Sequence, residues 1–227
     1  MTKFCRYDLR TTTDVAGARK FYSTVLGHDR APIWPLHENA IARGAKPHWL
    51  GRIGVADVEQ TAAAFVERGA ERFGPIGPTP DGGIGTNLRD PGGAVLSIGT
   101  PPKTELDLGV VWHVLNTTDV SRAAKDYREL FGWQFGPAVD LGADGRFRMF
   151  SWQTGGASVG SISDLANHPG IHPHWLFFFE VDALDAKLDF IRAAGGKAFE
   201  PVSLRTGERL CVCDDPQGAA FGLRERR

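Results

Sequence analysis

The sequence is poor in cysteine, in long apolar runs and in excess charge, and each shortage closes off a class of protein. Its three cysteines, Cys5, Cys211 and Cys213, cannot all pair with one another, so free thiols are expected rather than a disulfide framework. Lys plus Arg number 26 and Asp plus Glu 27, a formal net charge of −1. Nothing in that balance favours nucleic acid or a membrane surface as a partner. Apolar stretches such as Trp175–Phe179 fall far short of the ~20 residues a membrane-spanning helix requires. The opening residues carry no apolar core of a secretory signal, and a cytoplasmic location is expected. Gly-x-Ser-x-Gly and Walker patterns are also lacking. What remains is ample apolar content, 42% of residues, in a chain of 227 that can bury a core without a metal or disulfide.

The chain repeats itself. Leu9-Arg10-Thr11-Thr12 resembles Leu115-Asn116-Thr117-Thr118, and each is soon followed by Asp-Val. Phe21-Tyr22 corresponds to Asp126-Tyr127, and Pro47-His48-Trp49-Leu50 recurs as Pro173-His174-Trp175-Leu176. Asp90-Pro91-Gly92-Gly93-Ala94 recurs as Asp215-Pro216-Gln217-Gly218-Ala219. The shared order predicts a duplicated unit of about a hundred residues, with domains at 1–103 and 104–227 joined near Pro101–Glu105.

Within each half a strand-like stretch leads into an amphipathic helix, twice over. Asp14 can cap a helix carrying Val15, Ala18, Phe21, Tyr22 and Val25, closed by Gly27. Asp119 can do the same for Val120, Ala123, Ala124, Tyr127 and Leu130, closed by Gly132. Further helices follow Asp57 and Val181, and strands ending in an Asp-Pro-x-Gly turn follow each second helix. Four such modules predict an α+β fold, with helices outside curved sheets.

Four βαβββ modules in tandem pairs, with Phe-Tyr on the first helix and Asp-Pro-x-Gly-Ala before the last strand, resemble the vicinal oxygen chelate superfamily. This is the glyoxalase, bleomycin-resistance and dihydroxybiphenyl dioxygenase fold, and the resemblance spans about residues 4–100 and 109–225. It implies a fold that hosts lyases, isomerases, dioxygenases and metal-free binders. One departure stands out. His174 lies 42 residues after Gly132, but His48 lies only 21 after Gly27, so the first module is expected to be truncated. Pro32 and Pro35 interrupt the one strand it has room for.

The resemblance also implies a divalent metal between modules, held by His, Glu or Gln on first strands and Glu on last strands. Strand alternation puts Ser97 and Gly222 at the last-strand positions, and neither is a useful ligand. No cofactor is therefore expected; the competing reading is a metal-dependent lyase, isomerase or dioxygenase using Asp8, His48, His174 and Glu180. Alternation turns Arg6, Asp8, Arg10, His48 and Arg52 inward in the first half. Asp8 is expected to pair with an arginine, leaving another to grip an anionic ligand. In the second half Trp112, Val114, Leu176 and Phe178 point inward with Asn116, His174 and Glu180. That combination reads as an apolar pocket for a small organic ligand, with His174 and Glu180 as acid/base candidates should chemistry occur. A third reading is a non-catalytic module that dimerises to cover the sheet edge left by the short first module.

Overall fold

The structure is a computed structural model that describes residues 1–140, 142, 145–204 and 207–226. The first module contains β1 (Phe4–Thr11), α1 (Val15–Leu26), β2 (Ile33–Pro35) and the short helix α2 (Glu38–Ala42). The second contains β3 (His48–Gly54), α3 (Val58–Glu67), β4 (Glu71–Arg72), β5 (Gly77–Pro78), β6 (Ile84–Arg89) and β7 (Val95–Gly99). The third runs through β8 (Val110–Asn116), α4 (Val120–Phe131), β9 (Gln134–Phe135), β10 (Val139–Asp140), β11 (Arg146–Ser151) and β12 (Gly160–Ser163). The fourth has β13 (His174–Val181), α5 (Leu184–Ala193), β14 (Lys197–Ala198), β15 (Val202–Ser203), β16 (Arg209–Asp214) and β17 (Ala220–Glu225).

Helix ends fall where the side chains dictate. Asp14, Asp57 and Asp119 each accept a hydrogen bond from a backbone N–H three residues on, which satisfies a donor the helix leaves open. Gly27 and Gly132 stop α1 and α4 in the left-handed conformation, at φ 75° and 74°. Before α5 the capping residue is Ala183, itself left-handed at φ 53°, and the Leu184 N–H that opens the helix donates instead to the Glu225 carboxylate, at 3.3 Å.

Among the described residues the strands form two sheets. The first has the order β2-β1-β3-β7-β6-β4, with β5 beside β6. The second has the order β10-β11-β12-β8-β13-β17-β16-β14, with β9 beside β11 and β15 beside β16. The first module is short, as its spacing predicts: β2 is a three-residue strand parallel to β1. It ends at Pro35, which has no N–H to donate and so suits an edge. The helix α2 that follows lacks buried residues, and no apolar periodicity announces it in the sequence.

Contacts divide the chain into two compact units that do not follow the sequence halves. The first unit comprises Met1–Arg6, Gly51–Glu105 and His113–Trp175; the second comprises Tyr7–Leu50, Leu106–Trp112 and Leu176–Arg227. The first thus carries α3 and α4, the second α1 and α5. The core of the first unit is built on Phe65, Tyr127 and Trp133; the Trp133 ring stacks on Phe150 at 5.1 Å. In the second, Phe21 and Tyr22 of α1 meet Phe221 of β17 edge-on, and Trp49 lies 4.8 Å from Phe179. No helix among the described residues is long and apolar enough to cross a membrane.

Candidate ligand-binding site

In the first unit the inward charges gather around a residue on a hairpin. Arg52 of β3 is buried and sits beside Ser97 of β7 in parallel register. Its Nη1 donates to both carboxylate oxygens of Asp81, at 2.9 and 2.8 Å. Arg6 Nη1 approaches the same carboxylate at 3.7 Å. Burial opposes ionisation of Asp81, but hydrogen bonds from Arg52 and Thr79 and the charge of Arg52 outweigh it and hold the pKa below the usual range. Two guanidiniums share one carboxylate, and the Nε of Arg52 is buried without a hydrogen-bond partner among the described residues. An unsatisfied buried donor costs about 1–3 kcal/mol, so this Nε favours any acceptor that reaches it.

Asp81 was not among the residues expected from the sequence. It lies in the glycine-rich turn of the β5–β6 hairpin, where Thr79 N–H donates to Gly83 O. The signal was available: an inward arginine needs a carboxylate, and this is an acidic residue at a hairpin tip. Asp8, expected to pair with one of the inward arginines, belongs to the second unit and lies 3.9 Å from Arg10 there. The indole Nε1 of Trp34 also donates to Asp8, at 3.4 Å.

The two repeat histidines are held alike. His48 Nδ1 lies 2.7 Å from the carbonyl of Lys46, and His174 Nδ1 lies 2.7 Å from that of His172. With Nδ1–H donating to the carbonyl, His174 Nε2 is left to accept from Asn116 Nδ2 at 3.3 Å, and Asn116 Oδ1 accepts from Ser163 at 2.9 Å. Glu180 sits at the far end of the same strand, six residues or ~20 Å away. It pairs with Arg226 at 2.8 Å, an ion pair rather than an apolar setting. The structure therefore does not bring His174 and Glu180 together as an acid/base pair. Leu176 and Phe178 are buried, while Trp112 and Val114 are half-buried. Phe178 pairs with Gly222 in register, and its ring fills the space a Cβ on Gly222 would need.

The donor set does not fit the family's divalent metal. The two last-strand positions carry Ser97, opposite Arg52, and Gly222, under Phe178. Among the described residues no three His, Cys, Asp or Glu side chains converge on a point. The thiols of Cys211 and Cys213 lie 3.9 Å apart, buried on one face of β16, and burial raises the pKa of both. His113, stacked on Phe4 at 5.3 Å, has its pKa pushed down to about 4 by burial.

One further arrangement, present twice, went unread in the sequence. In the first unit Trp175 Nε1 donates to Tyr127 OH at 3.2 Å, Tyr127 OH donates to Asp90 at 3.0 Å, and Asp90 accepts from Ala94 N–H at 2.8 Å. In the second, Trp49 Nε1 donates to Tyr22 OH at 3.0 Å, Tyr22 to Asp215 at 3.1 Å, and Asp215 accepts from Ala219 N–H at 2.9 Å. Burial is the largest influence on both carboxyls and raises them, Asp90 to about 6. The repeated Trp, Tyr and Asp were visible as motifs, but their convergence needs the fold.

Comparison with known proteins agrees with this architecture. The family model of the Glyoxalase/Bleomycin resistance protein/Dioxygenase superfamily matches residues 109–223. The provisionally named glyoxylase CFP32 of Mycobacterium tuberculosis, and that of Mycobacterium bovis, are each 28% identical over 241 residues, covering 93% of this chain and 90% of the relative. Among solved structures, the Mn(II)-bound glyoxalase from Novosphingobium aromaticivorans aligns with a TM-score of 0.63 at 11% identity, over 99% of this chain and 83% of that one. The 2,3-dioxygenase LapB from Pseudomonas sp. KL28 aligns with a TM-score of 0.65 at 13% identity, over 99% and 92%. At those identities the structures establish the fold alone.

Proposed function

Because this chain belongs to the Glyoxalase/Bleomycin resistance protein/Dioxygenase superfamily, we propose that it binds a small organic acid at the Arg6–Arg52–Asp81 cluster, without a divalent metal. The observation that carries this reading is the buried Arg52, which has an unpartnered Nε and already grips a carboxylate with its Nη1. A ligand carboxylate adds the acceptor that Nε lacks. Ser97 and Gly222, in place of metal-binding side chains, favour binding over metal-assisted chemistry.

Calorimetric titration with benzoate and its neutral ester methyl benzoate tests the reading. Saturable benzoate binding is expected, weakened about tenfold in Arg52→Lys, which keeps the charge but loses the planar fork. A second placement is the face of the C-terminal half that carries the half-buried Trp112. Methyl benzoate binding lost in Trp112→Ala and kept in Arg52→Lys would select it. Native mass spectrometry of the purified protein reads metal, copurified ligand and subunit number together. One tightly held metal per chain would overturn the metal-free reading. A stable dimer would support self-association at the edge strand β2.

A further inference from the structure

The two copies of the Trp–Tyr–Asp arrangement differ at one residue of the turn. In the second unit, the residue two after Asp215 is Gln217, and its side chain folds back over the start of α1. Its Oε1 accepts from Thr11 Oγ1 at 2.5 Å, from Thr12 N–H at 3.1 Å and from the Thr12 hydroxyl. Its Nε2 donates to Asp14 O at 2.9 Å. All the polar atoms of one carboxamide group are thus engaged.

In the first unit the corresponding residue is Gly92, which has no side chain. A cavity of about 230 Å³ opens there, lined by Asp90, Gly92, Thr117, Thr118, Asp119 and Tyr127 among others. The atoms that hold Gln217 have counterparts in place: Thr117 for Thr11, Thr118 for Thr12, and Asp119 for Asp14. Thr117 is fully buried, and its Oγ1 projects into the space a Gly92 side chain would enter. That hydroxyl accepts a long bond from Asp119 N–H at 3.5 Å, but its proton has no acceptor among the described residues. Asp119 O accepts from Ala123 N–H at 3.0 Å, as Asp14 O does from Ala18 N–H at 3.2 Å, and keeps a second lone pair for another donor.

We propose that the Gly92 cavity is a binding site for a primary carboxamide on a small molecule, the group that Gln217 supplies from within the chain at the matching place. Two independent observations support it: the filled twin, which displays the ligand chemistry, and the buried Thr117 hydroxyl aimed at the vacancy. The site discriminates against the isosteric carboxylate. Thr117 and Thr118 donate to the carbonyl side, but Asp119 O needs a donor on the other side, which a carboxylate lacks. Arg122 also lines the cavity but is paired with Asp126 at 3.6 Å, so the discrimination rests on the donor that a carboxylate lacks.

Propionamide and propionate, titrated into the intact protein and followed by amide NMR shifts, test the proposal. Propionamide is expected to bind at one site per chain at millimolar concentration, shifting the Thr117, Thr118 and Asp119 amides, and propionate is expected to leave those amides unmoved. Gly92→Gln, whose Cβ obliges the Thr117 hydroxyl to rotate aside, installs the internal occupant and should abolish these shifts. Thr117→Val, which keeps the shape and removes the hydroxyl, should weaken binding about tenfold; Arg52→Lys should leave it unchanged. Gln217→Gly opens the twin and should raise the count to two sites, the second reported by Thr11 and Thr12. Equal binding of propionate at these amides, unaltered propionamide binding in a folded Gly92→Gln variant, or no saturable shift would overturn the proposal.

Discussion

The two compact units share one buried scaffold and differ in what occupies its open positions. Each has a tryptophan donating to a tyrosine, the tyrosine donating to an aspartate, and the aspartate closing a turn. Around that scaffold the first unit carries Arg52 opposite Ser97 and a cavity over Gly92. The second carries Phe178 against Gly222 and the Gln217 plug. The difference teaches that the scaffold supports the fold in both places, while the second unit has filled with its own side chains the spaces the first leaves polar or open.

The most severe way to test this equivalence is to remove the buried carboxylates. Asp90→Ala and Asp215→Ala each strand a tyrosine hydroxyl and turn amides away from water, and each should cost about 2–4 kcal/mol in urea unfolding. A loss confined to one of the pair would break the structural equivalence of the units.

A second test uses pH. Burial raises the Asp90 carboxyl to about 6 in the fold, above its unfolded value of ~3.9. The native state therefore holds that proton more tightly than the unfolded chain. The resulting stabilisation is whole below about pH 4 and is lost as pH rises through about 6, an effect of about 1–3 kcal/mol. Asp215 shifts the same way. Asp81, held low, acts with the opposite sign but below about pH 4, outside this window. His113, pushed down to about 4, acts with the opposite sign inside this window. The test is therefore a difference: between pH 4.5 and 7.5 the Asp90→Asn variant should gain stability with rising pH more steeply, or lose it less steeply, than the unaltered protein. An unchanged slope in that variant would assign the titration elsewhere.

The filled and open last-strand positions can be compared directly. Gly222→Ala forces the Phe178 ring to move and should lower stability by about 1–3 kcal/mol. Ser97→Ala removes a single 3.3 Å hydrogen bond to Thr86 O and should cost less, about 0.5–1.5 kcal/mol. If the two costs are equal, Phe178 does not close the second unit in the way described. The smallest effect is expected from Gln217→Ala, about 0.5 kcal/mol, since most of its bonds lie near solvent.

Much of the fold was legible because it is written in local chemistry and then written again. Asp14, Asp57 and Asp119 marked helix starts, Gly27 and Gly132 marked ends, and the 21-residue deficit before His48 marked the short module. Strand alternation also set Arg52 beside Ser97 in one unit and Phe178 beside Gly222 in the other. The site was harder to read, because its partners are chosen by turns and not by periodicity. Asp81 reaches Arg52 only through the bend of a hairpin, and Glu180 meets Arg226 through the end of β17. Helix α2 is invisible for a related reason: it buries nothing, so no apolar pattern records it.

The interleaved composition of the units has a consequence for how the chain is made. The first unit uses nothing beyond Trp175, whereas the second couples residues near the beginning to residues near the end. The bond from Tyr22 to Asp215 spans 193 residues. Closing so long a loop carries a large entropic cost before any contact offsets it, which slows assembly. During synthesis the first unit can gather while α1 still waits, amphipathic and uncovered, for a strand not yet translated. The early helix with Phe21 and Tyr22 on its apolar face is then the segment most exposed to misassociation.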